Sequence, residues 1–272
     1  MSSPYMTWED AVVSLRNRPD QAELVRACYY DDPLIEAARR YHASLEWQAL
    51  RKLLPARRGA ALDIGSGRGI SAFAFASDGY RTSALEPDPS AIVGAAAIRR
   101  LAVEGGLDID VHETWGEVLP FDDAAFDVVH CRAVMHHARN LNDFVHQVGR
   151  VLKRGGMFIG AREHVVSRHE DIPAFQAAHP LHALYGGEYA YRIDEYKTAI
   201  TEAGLKLTAC LNPLASEVNI APATRNEVKK RLASRLGIPA LAKLIPDRML
   251  AARGALSGTP GRLYTFVATK PA

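Results

Sequence analysis

The 272-residue chain has no apolar run approaching the roughly 18 residues that a membrane-spanning helix needs. Its first stretch, Met1 to Asp20, carries Glu9 and Asp10 and lacks the apolar segment of a secretory signal. Cysteine is scarce. Cys28, Cys131 and Cys210 are odd in number and far apart, which argues against a disulfide framework or a zinc cluster and for a reducing compartment. Neither sign of charge is in excess: 33 Lys and Arg against 31 Asp and Glu leave +2, no global reason to expect nucleic acid or a membrane surface. Histidines and acids gather at His164, His169, Glu170, Asp171, His179 and His182, but no pair has His-x-x-x-His or His-Glu-x-x-His spacing, so no metal is expected. Internal repeats and low-complexity tracts are also missing. These absences leave a soluble cytoplasmic protein, and 48% apolar residues supply a core for one large domain or one domain with an addition.

What is present centres on Ala60-Ala61-Leu62-Asp63-Ile64-Gly65-Ser66-Gly67-Arg68-Gly69-Ile70. A short apolar run ends in glycines at every second position and resumes as Ser71-Ala72-Phe73-Ala74-Phe75-Ala76, which reads as strand, tight turn and helix. Glycine there permits positive φ and lets another group approach bare backbone, while the N–H groups of the incoming helix form an anion site. A dinucleotide fingerprint would place its third glycine three residues after the second; Gly69 follows Gly67 by two.

On the N-terminal side, residues 7–17 begin like a helix capped by Thr7, and 33–54 carry Leu34, Ala37, Ala38, Tyr41, Leu45, Ala49 and Leu53 at helical spacing. On the C-terminal side strands and helices alternate. Strands are expected at 81–86, 108–113, 126–131 and 157–161, with helices over about 90–104 and 141–152 and a Gly155-Gly156 turn. The segment 164–192 shows no clear strand. A helix at 193–203, strands at 205–211 and 262–268, and two helices within 222–256 broken at Gly237-Ile238-Pro239 complete the pattern. The order β-α-β-α implies a parallel sheet covered on both faces.

Glu86 ends the second strand, 23 residues after Asp63. A carboxylate there can accept hydrogen bonds from both hydroxyls of a ribose, or simply cap the next helix. The run Trp115-Gly116-Glu117-Val118-Leu119-Pro120-Phe121, followed by a short acidic turn and Phe126-Asp127, precedes the fourth strand; His130-Cys131-Arg132-Ala133-Val134-Met135-His136-His137 closes it, and Val151-Leu152-Lys153-Arg154-Gly155-Gly156 leads into the fifth. With D-x-G-x-G-x-G at 63–69, these five motifs over about 59–161 resemble the class I S-adenosylmethionine-dependent methyltransferases. The resemblance is closest to the small-molecule branch that methylates quinone precursors.

The resemblance implies a Rossmann-like sheet of seven strands in the order 3-2-1-4-5-7-6, the seventh antiparallel. S-adenosyl-L-methionine would lie across the carboxyl ends of strands one and four. Its binding residues would be Asp63, Gly65, Ser66, Gly67, Glu86, Pro87, Trp115, Gly116 and His130, with the glycine turn cradling the methionine carboxylate. The family usually has an acidic residue where Trp115 stands and Ala where Gly116 stands. Trp115 either offers the adenine a stacking face or packs in the core, and the Gly116 N–H still serves a ring nitrogen.

Methyl transfer from a sulfonium draws about 7–11 kcal/mol from alignment alone, so no sharp general-base signature is expected. Candidates are Glu163 and His164 within Arg162-Glu163-His164, expected at the end of strand five facing the crevice, and His182 within His179-Pro180-Leu181-His182-Ala183-Leu184-Tyr185-Gly186-Gly187-Glu188-Tyr189-Ala190-Tyr191. Each His can equally serve only to hold a loop. Adjacent His136 and His137 are expected to present at most one ring to the pocket. Residues 1–58 are expected as a helical lid, joined by the 164–192 segment, on a methyltransferase domain spanning 59–272 with substrate-side insertions at about 164–192 and 222–256, and with Tyr30 and Tyr41 as lid contacts. The segment 222–256 carries Arg225, Lys229, Lys230, Arg231, Arg235, Lys243, Arg248 and Arg253, either a solvated face or a lining for an anionic substrate or partner. The reading is a methyltransferase acting on a small molecule, oxygen foremost. A nitrogen or carbon methyltransferase, a non-catalytic cofactor-binding scaffold or regulator, and a weaker NAD-dependent oxidoreductase stand as rivals. The oligomeric state is not legible.

Overall fold

The computed structural model describes residues 5–185 and 189–272; Gly186, Gly187 and Glu188 of the histidine-rich run lie outside the described residues. Eight strands build one sheet: β1 (Ala60–Ile64), β2 (Arg81–Leu85), β3 (Ile109–His112), β4 (Phe126–Arg132), β5 (Leu152–Val166), β6 (Tyr191–Arg192), β7 (Lys206–Leu211) and β8 (Arg262–Thr269). The order is β3-β2-β1-β4-β5-β8-β7, with β6 paired to the far end of β5. Apart from the two-residue β6, this is the order the motifs imply. β8 runs antiparallel to both neighbours. Every residue of β1 is buried, as in a parallel strand covered on both faces.

One face of the sheet carries Phe144, Val145 and Val148 from helix Leu141–Val151 and Tyr196, Ala199 and Ile200 from helix Ile193–Glu202. The other face carries Phe73, Ala74 and Phe75 together with Tyr41, Trp47 and Leu50 from the N-terminal helices. The result is three layers. The expected helix over 33–54 is two, Leu34–His42 and Leu45–Arg51. Ser44 divides them, because its hydroxyl accepts the Trp47 N–H and caps the second helix. Similarly, the helix expected from 90 begins only at Ala95, after Ser90 Oγ accepts the N–H groups of Ile92 and Val93 in a turn.

The 164–192 segment differs from expectation. β5 starts ahead of the Gly155-Gly156 pair and runs on to Val166, and β6 adds beside its end. Its alternation is hidden by a register shift between Gly160 and Glu163, where Arg162 takes φ 58°. Beyond it come short helices Ile172–Ala177 and Pro180–Tyr185. The 222–256 segment holds helices Arg225–Arg235 and Asp247–Ala255 around a small core of Ala233, Ala242, Ile245 and Leu250. Among the described residues no helix is long and apolar enough to cross a membrane.

Candidate functional site

A cavity of about 800 Å³ opens over the carboxyl ends of the parallel strands, where the strand order reverses. On its floor the glycine turn is tied to the end of β2. Gly65 N and Ser66 N both donate to Leu85 O (2.8 and 3.0 Å), and Gly69 N donates to Ser66 O (2.8 Å). Gly65, Gly67 and Gly69 all have positive φ, and a side chain at Gly65 would run into Val134. Glu86 completes the tie. Its Oε2 accepts the Gly67 N–H at 2.7 Å and its Oε1 the Asp88 N–H at 3.1 Å. Burial pushes the Glu86 carboxyl up to about 7 despite those two donors. The amides of Gly65, Ser66, Gly67 and Gly69 are thus spent on the protein itself, and the expected cradle for a carboxylate does not come from them.

Asp63 and His130 face each other across β1 and β4. Asp63 Oδ1 accepts from His130 Nδ1 at 2.7 Å, which fixes the carboxylate's orientation. Asp63 Oδ2 is sealed from solvent without a hydrogen-bond partner among the described residues, yet Asp63 lines the cavity. A buried acceptor left over at a cavity wall awaits a donor or cation from a ligand. His130 itself does not line the cavity; its part is to hold Asp63.

At the β3 end, Trp115 is 54% exposed and Arg139 stacks on its ring at 4.9 Å, so the packed-core reading of Trp115 is excluded. Gly116 lets the chain lie directly against Phe144 and Ile64, where any side chain would collide. Both residues, with Pro87, line the cavity.

The opposite half is lined by histidines. His164 and His182 stand 5.5 Å apart between ring centroids, His136 and His164 4.7 Å, and His179 and His182 4.6 Å. His136 and His137 both line the cavity, against the expectation of one. They sit on the 3₁₀ turn Met135–His137, where successive side chains diverge by about 120° rather than the 180° of a strand. His164 Nδ1 lies 2.9 Å from Gly261 O, so the neutral ring must carry its proton on Nδ1 and its lone pair on Nε2. Glu163 points elsewhere. Fully buried, its Oε1 accepts the N–H groups of Val134 and Met135 and its Oε2 accepts from His136 N and Nδ1. It is absent from the cavity wall and positions the turn that carries the His136 and His137 rings.

The N-terminal segment roofs the site. Trp8, Leu24, Tyr29 and Tyr30 line it, whereas Tyr41 is packed under Trp47 and does not reach it. Arg68 of the glycine turn fastens this roof by donating to the carbonyls of Tyr29 (3.0 Å) and Asp31 (2.9 Å) and pairing with Asp32. Of the expected residues, Asp63, Gly65, Ser66, Gly67, Glu86, Pro87, Trp115, Gly116, His164 and His182 come together on one cavity; Glu163 and His130 support it from behind. No basic side chain of 222–256 lines it. Part of that charge is answered locally, since Asp247 pairs with Arg225 and Lys229.

Sequence reasoning missed that Arg132 and Arg162 line the cavity around one shared carboxylate, Glu46, buried between them. Their partners lie far off in the chain, so spacing carries no signal for them. Among the described residues no group of three or more His, Cys, Asp or Glu side chains is arranged to hold a metal.

The model of the methyltransferase domain matches residues 62–160. The chain is 33% identical over 98 residues to an uncharacterized methyltransferase of Bacillus subtilis, and 36% identical over 100 residues to a ubiquinone biosynthesis O-methyltransferase of Methylocella silvestris. These matches take in 36% and 37% of this chain, and the chain spans 38% of the length of each relative. A ubiquinone biosynthesis O-methyltransferase of Maricaulis maris matches at 28% identity over 60% of this chain and 66% of its own length. Among solved structures, the geranyl diphosphate C-methyltransferase of Streptomyces coelicolor superposes with a TM-score of 0.61 at 15% identity, covering 98% of this chain and 100% of that one. That likeness extends the shared fold to the roof and the C-terminal segment. The matched span 62–160 holds the glycine turn, Glu86, the Leu-Pro-Phe run and the β4 end that build one half of the cavity, so the part of the chain that is similar to the methyltransferase domain is the part that forms this wall.

Proposed function

We propose that this protein transfers the methyl group of S-adenosyl-L-methionine to the oxygen of a small-molecule acceptor in the cytoplasm. The observation that carries the reading is Glu86. Its buried carboxylate lines the cavity at the end of β2, pinned by two backbone N–H groups with its remaining lone pairs available to vicinal hydroxyls. The donor's positive charge has a match in the orphaned Asp63 Oδ2, and the Gly116 backbone offers close approach to the adenine. The residues present therefore fit the cofactor.

When bound, S-adenosyl-L-methionine supplies an activated methyl for in-line displacement. The chain's part is alignment and exclusion of water. Residues 1–58 act as a helical lid on the 59–272 domain, with Trp8, Tyr29 and Tyr30 over the acceptor and Arg68 as the fastening point. His164, held by Gly261 O, is the ring that takes the acceptor's hydroxyl proton, and His182 beside it shapes the pocket. Similarity to ubiquinone biosynthesis O-methyltransferases supports oxygen as the acceptor atom.

The test is transfer of labelled methyl from the cofactor to a metabolite extract, with the product identified by mass spectrometry. An O-methyl product supports the reading, and an N- or C-methyl product overturns its choice of atom. Tight cofactor binding with no transfer to any acceptor assigns a scaffold or regulator instead. Calorimetry showing NAD bound and S-adenosyl-L-methionine not bound ends the reading altogether.

Trp115 gives a smaller expectation. If its exposed face stacks on the adenine, Trp115→Ala weakens S-adenosylhomocysteine by about 1–3 kcal/mol and leaves the melting temperature nearly unchanged. An unaltered dissociation constant in calorimetry would assign the ring to Arg139 alone.

A further inference from the structure

Two arginines on adjacent strands reach the cavity. Arg132 closes β4, and Arg162 lies on β5 at its register shift. A single buried carboxylate serves both. Glu46 accepts a bidentate pair from Arg132, Nε to Oε1 at 2.6 Å and Nη2 to Oε2 at 3.1 Å, and lies 3.6 Å from Arg162 Nη1. That Nη1 is already committed, donating to Val218 O (2.7 Å) and Ala221 O (2.9 Å). The Nε–Nη2 edge of Arg162 makes no hydrogen bond to the described residues, and neither does Arg132 Nη1. Both side chains line the cavity, and none of these nitrogens is among the atoms sealed from solvent.

The Nε–Nη2 edge is the fork with which a guanidinium grips a carboxylate through two parallel bonds. Leaving it at a cavity wall, in a group of two cations and one anion, makes a site short of one negative charge. Burial lowers the Arg162 pKa, with Arg132 adding to the effect, as a guanidinium without a full counter-charge should show. A ribose held at Glu86 on β2 would set the donor over β1 and β4, the two strands between. Arg162 stands three strands from β2, about 14 Å at ~4.8 Å per strand, with Pro222 and Cys28 beside it on the wall.

We infer that the Arg162 fork, backed by Arg132, is a carboxylate subsite for the acceptor, so that the protein methylates an organic acid. The inference rests on the methyltransferase reading for the word acceptor, but the subsite can be tested without it. Benzoate and benzamide, equal in shape and different in charge, are titrated calorimetrically into the free protein and into protein saturated with S-adenosylhomocysteine.

Benzoate is expected to bind in both states and benzamide in neither. Arg162→Gln should weaken benzoate by about tenfold or more while leaving S-adenosylhomocysteine unchanged. Glu46→Gln, which keeps an acceptor for Arg132 and removes the anion, should tighten benzoate several-fold; it serves also if Arg162→Gln does not fold. Equal binding of the two probes, or benzoate affinity indifferent to Glu46→Gln, overturns the subsite and leaves a purely structural brace. If Arg162→Gln weakens S-adenosylhomocysteine but not methylthioadenosine, which lacks the carboxylate, the occupant is the cofactor's own tail and the inference fails. Failure of S-adenosylhomocysteine to bind the unaltered protein while benzoate still binds would sink the methyltransferase reading and keep the subsite.

Discussion

Replacing Glu86 with alanine is expected to weaken S-adenosylhomocysteine binding by about 2–4 kcal/mol, roughly 30- to 700-fold, because two charge-assisted hydrogen bonds to the ribose are lost. The same residue sets a pH dependence. Only the carboxylate accepts from both hydroxyls, and the buried group is pushed up to about 7. Binding below that pH must therefore expel a proton, and affinity should fall by up to about tenfold per pH unit there and level off above it. For stability the sign is opposite. A carboxyl whose folded pKa is raised from 4.5 to about 7 holds its proton in the folded state while the unfolded chain releases it. Its contribution is therefore greatest below pH 4.5 and declines as the pH rises through 7. Glu86→Gln should flatten both profiles, read by calorimetry across pH and by urea unfolding of the free protein. A binding constant that ignores pH in the unaltered protein would mean that Glu86 does not touch the ligand.

Glu163→Ala should cost about 3–5 kcal/mol of folding stability. The carboxylate is fully buried and satisfies the N–H groups of Val134, Met135 and His136 and the ring of His136. Alanine strands all four donors in a fully buried site. Glu163→Gln should cost less, about 1–3 kcal/mol, since one oxygen remains while the amide N–H₂ meets donors. Urea midpoints of the two variants decide it. A catalytic Glu163 would give the reverse result, with turnover lost and the midpoint retained.

The place of Glu163 is set by a feature of β5 that the sequence does not display. Glu163 stands next to His164 in the chain, and both were candidates for proton transfer. Along β5, Phe158 and Val165 belong to one core and Ile159 and Ala161 to the other. Residues seven apart cannot share a face of a strand with strict period two, so a bulge must intervene, and it does so at Arg162. The bulge turns Glu163 into the core beneath Cys131 and Met135 and turns Arg162 and His164 to the cavity. Nothing in the residues 157–164 announces that extra twist.

Other differences have equally local causes that only contact reveals. Ser44 separates one helix from the next because its hydroxyl reaches the Trp47 N–H, yet Tyr41 and Leu45 keep helical spacing across the break. Glycines at 65, 67 and 69 mark a turn correctly, but their amides are consumed by Leu85 O, Glu86 and Ser66 O. Only the paired strand β2 could show that.

By itself, then, the sequence determined the alternation of strands and helices, the turn after β1 and the carboxylate at the end of β2, while the strand order came from the family resemblance of its motifs. These are short-range features, set by hydrophobic period, by glycine's access to positive φ and by residues a fixed distance beyond a strand. The tertiary structure alone decided which side chains face the cavity. Glu46, Arg132 and Arg162 are brought together from 46, 132 and 162, and the His136, His164 and His182 rings from three separate elements. Such groupings depend on how the strand ends and connecting loops pack over the sheet, an arrangement fixed by long-range burial rather than by any spacing along the chain.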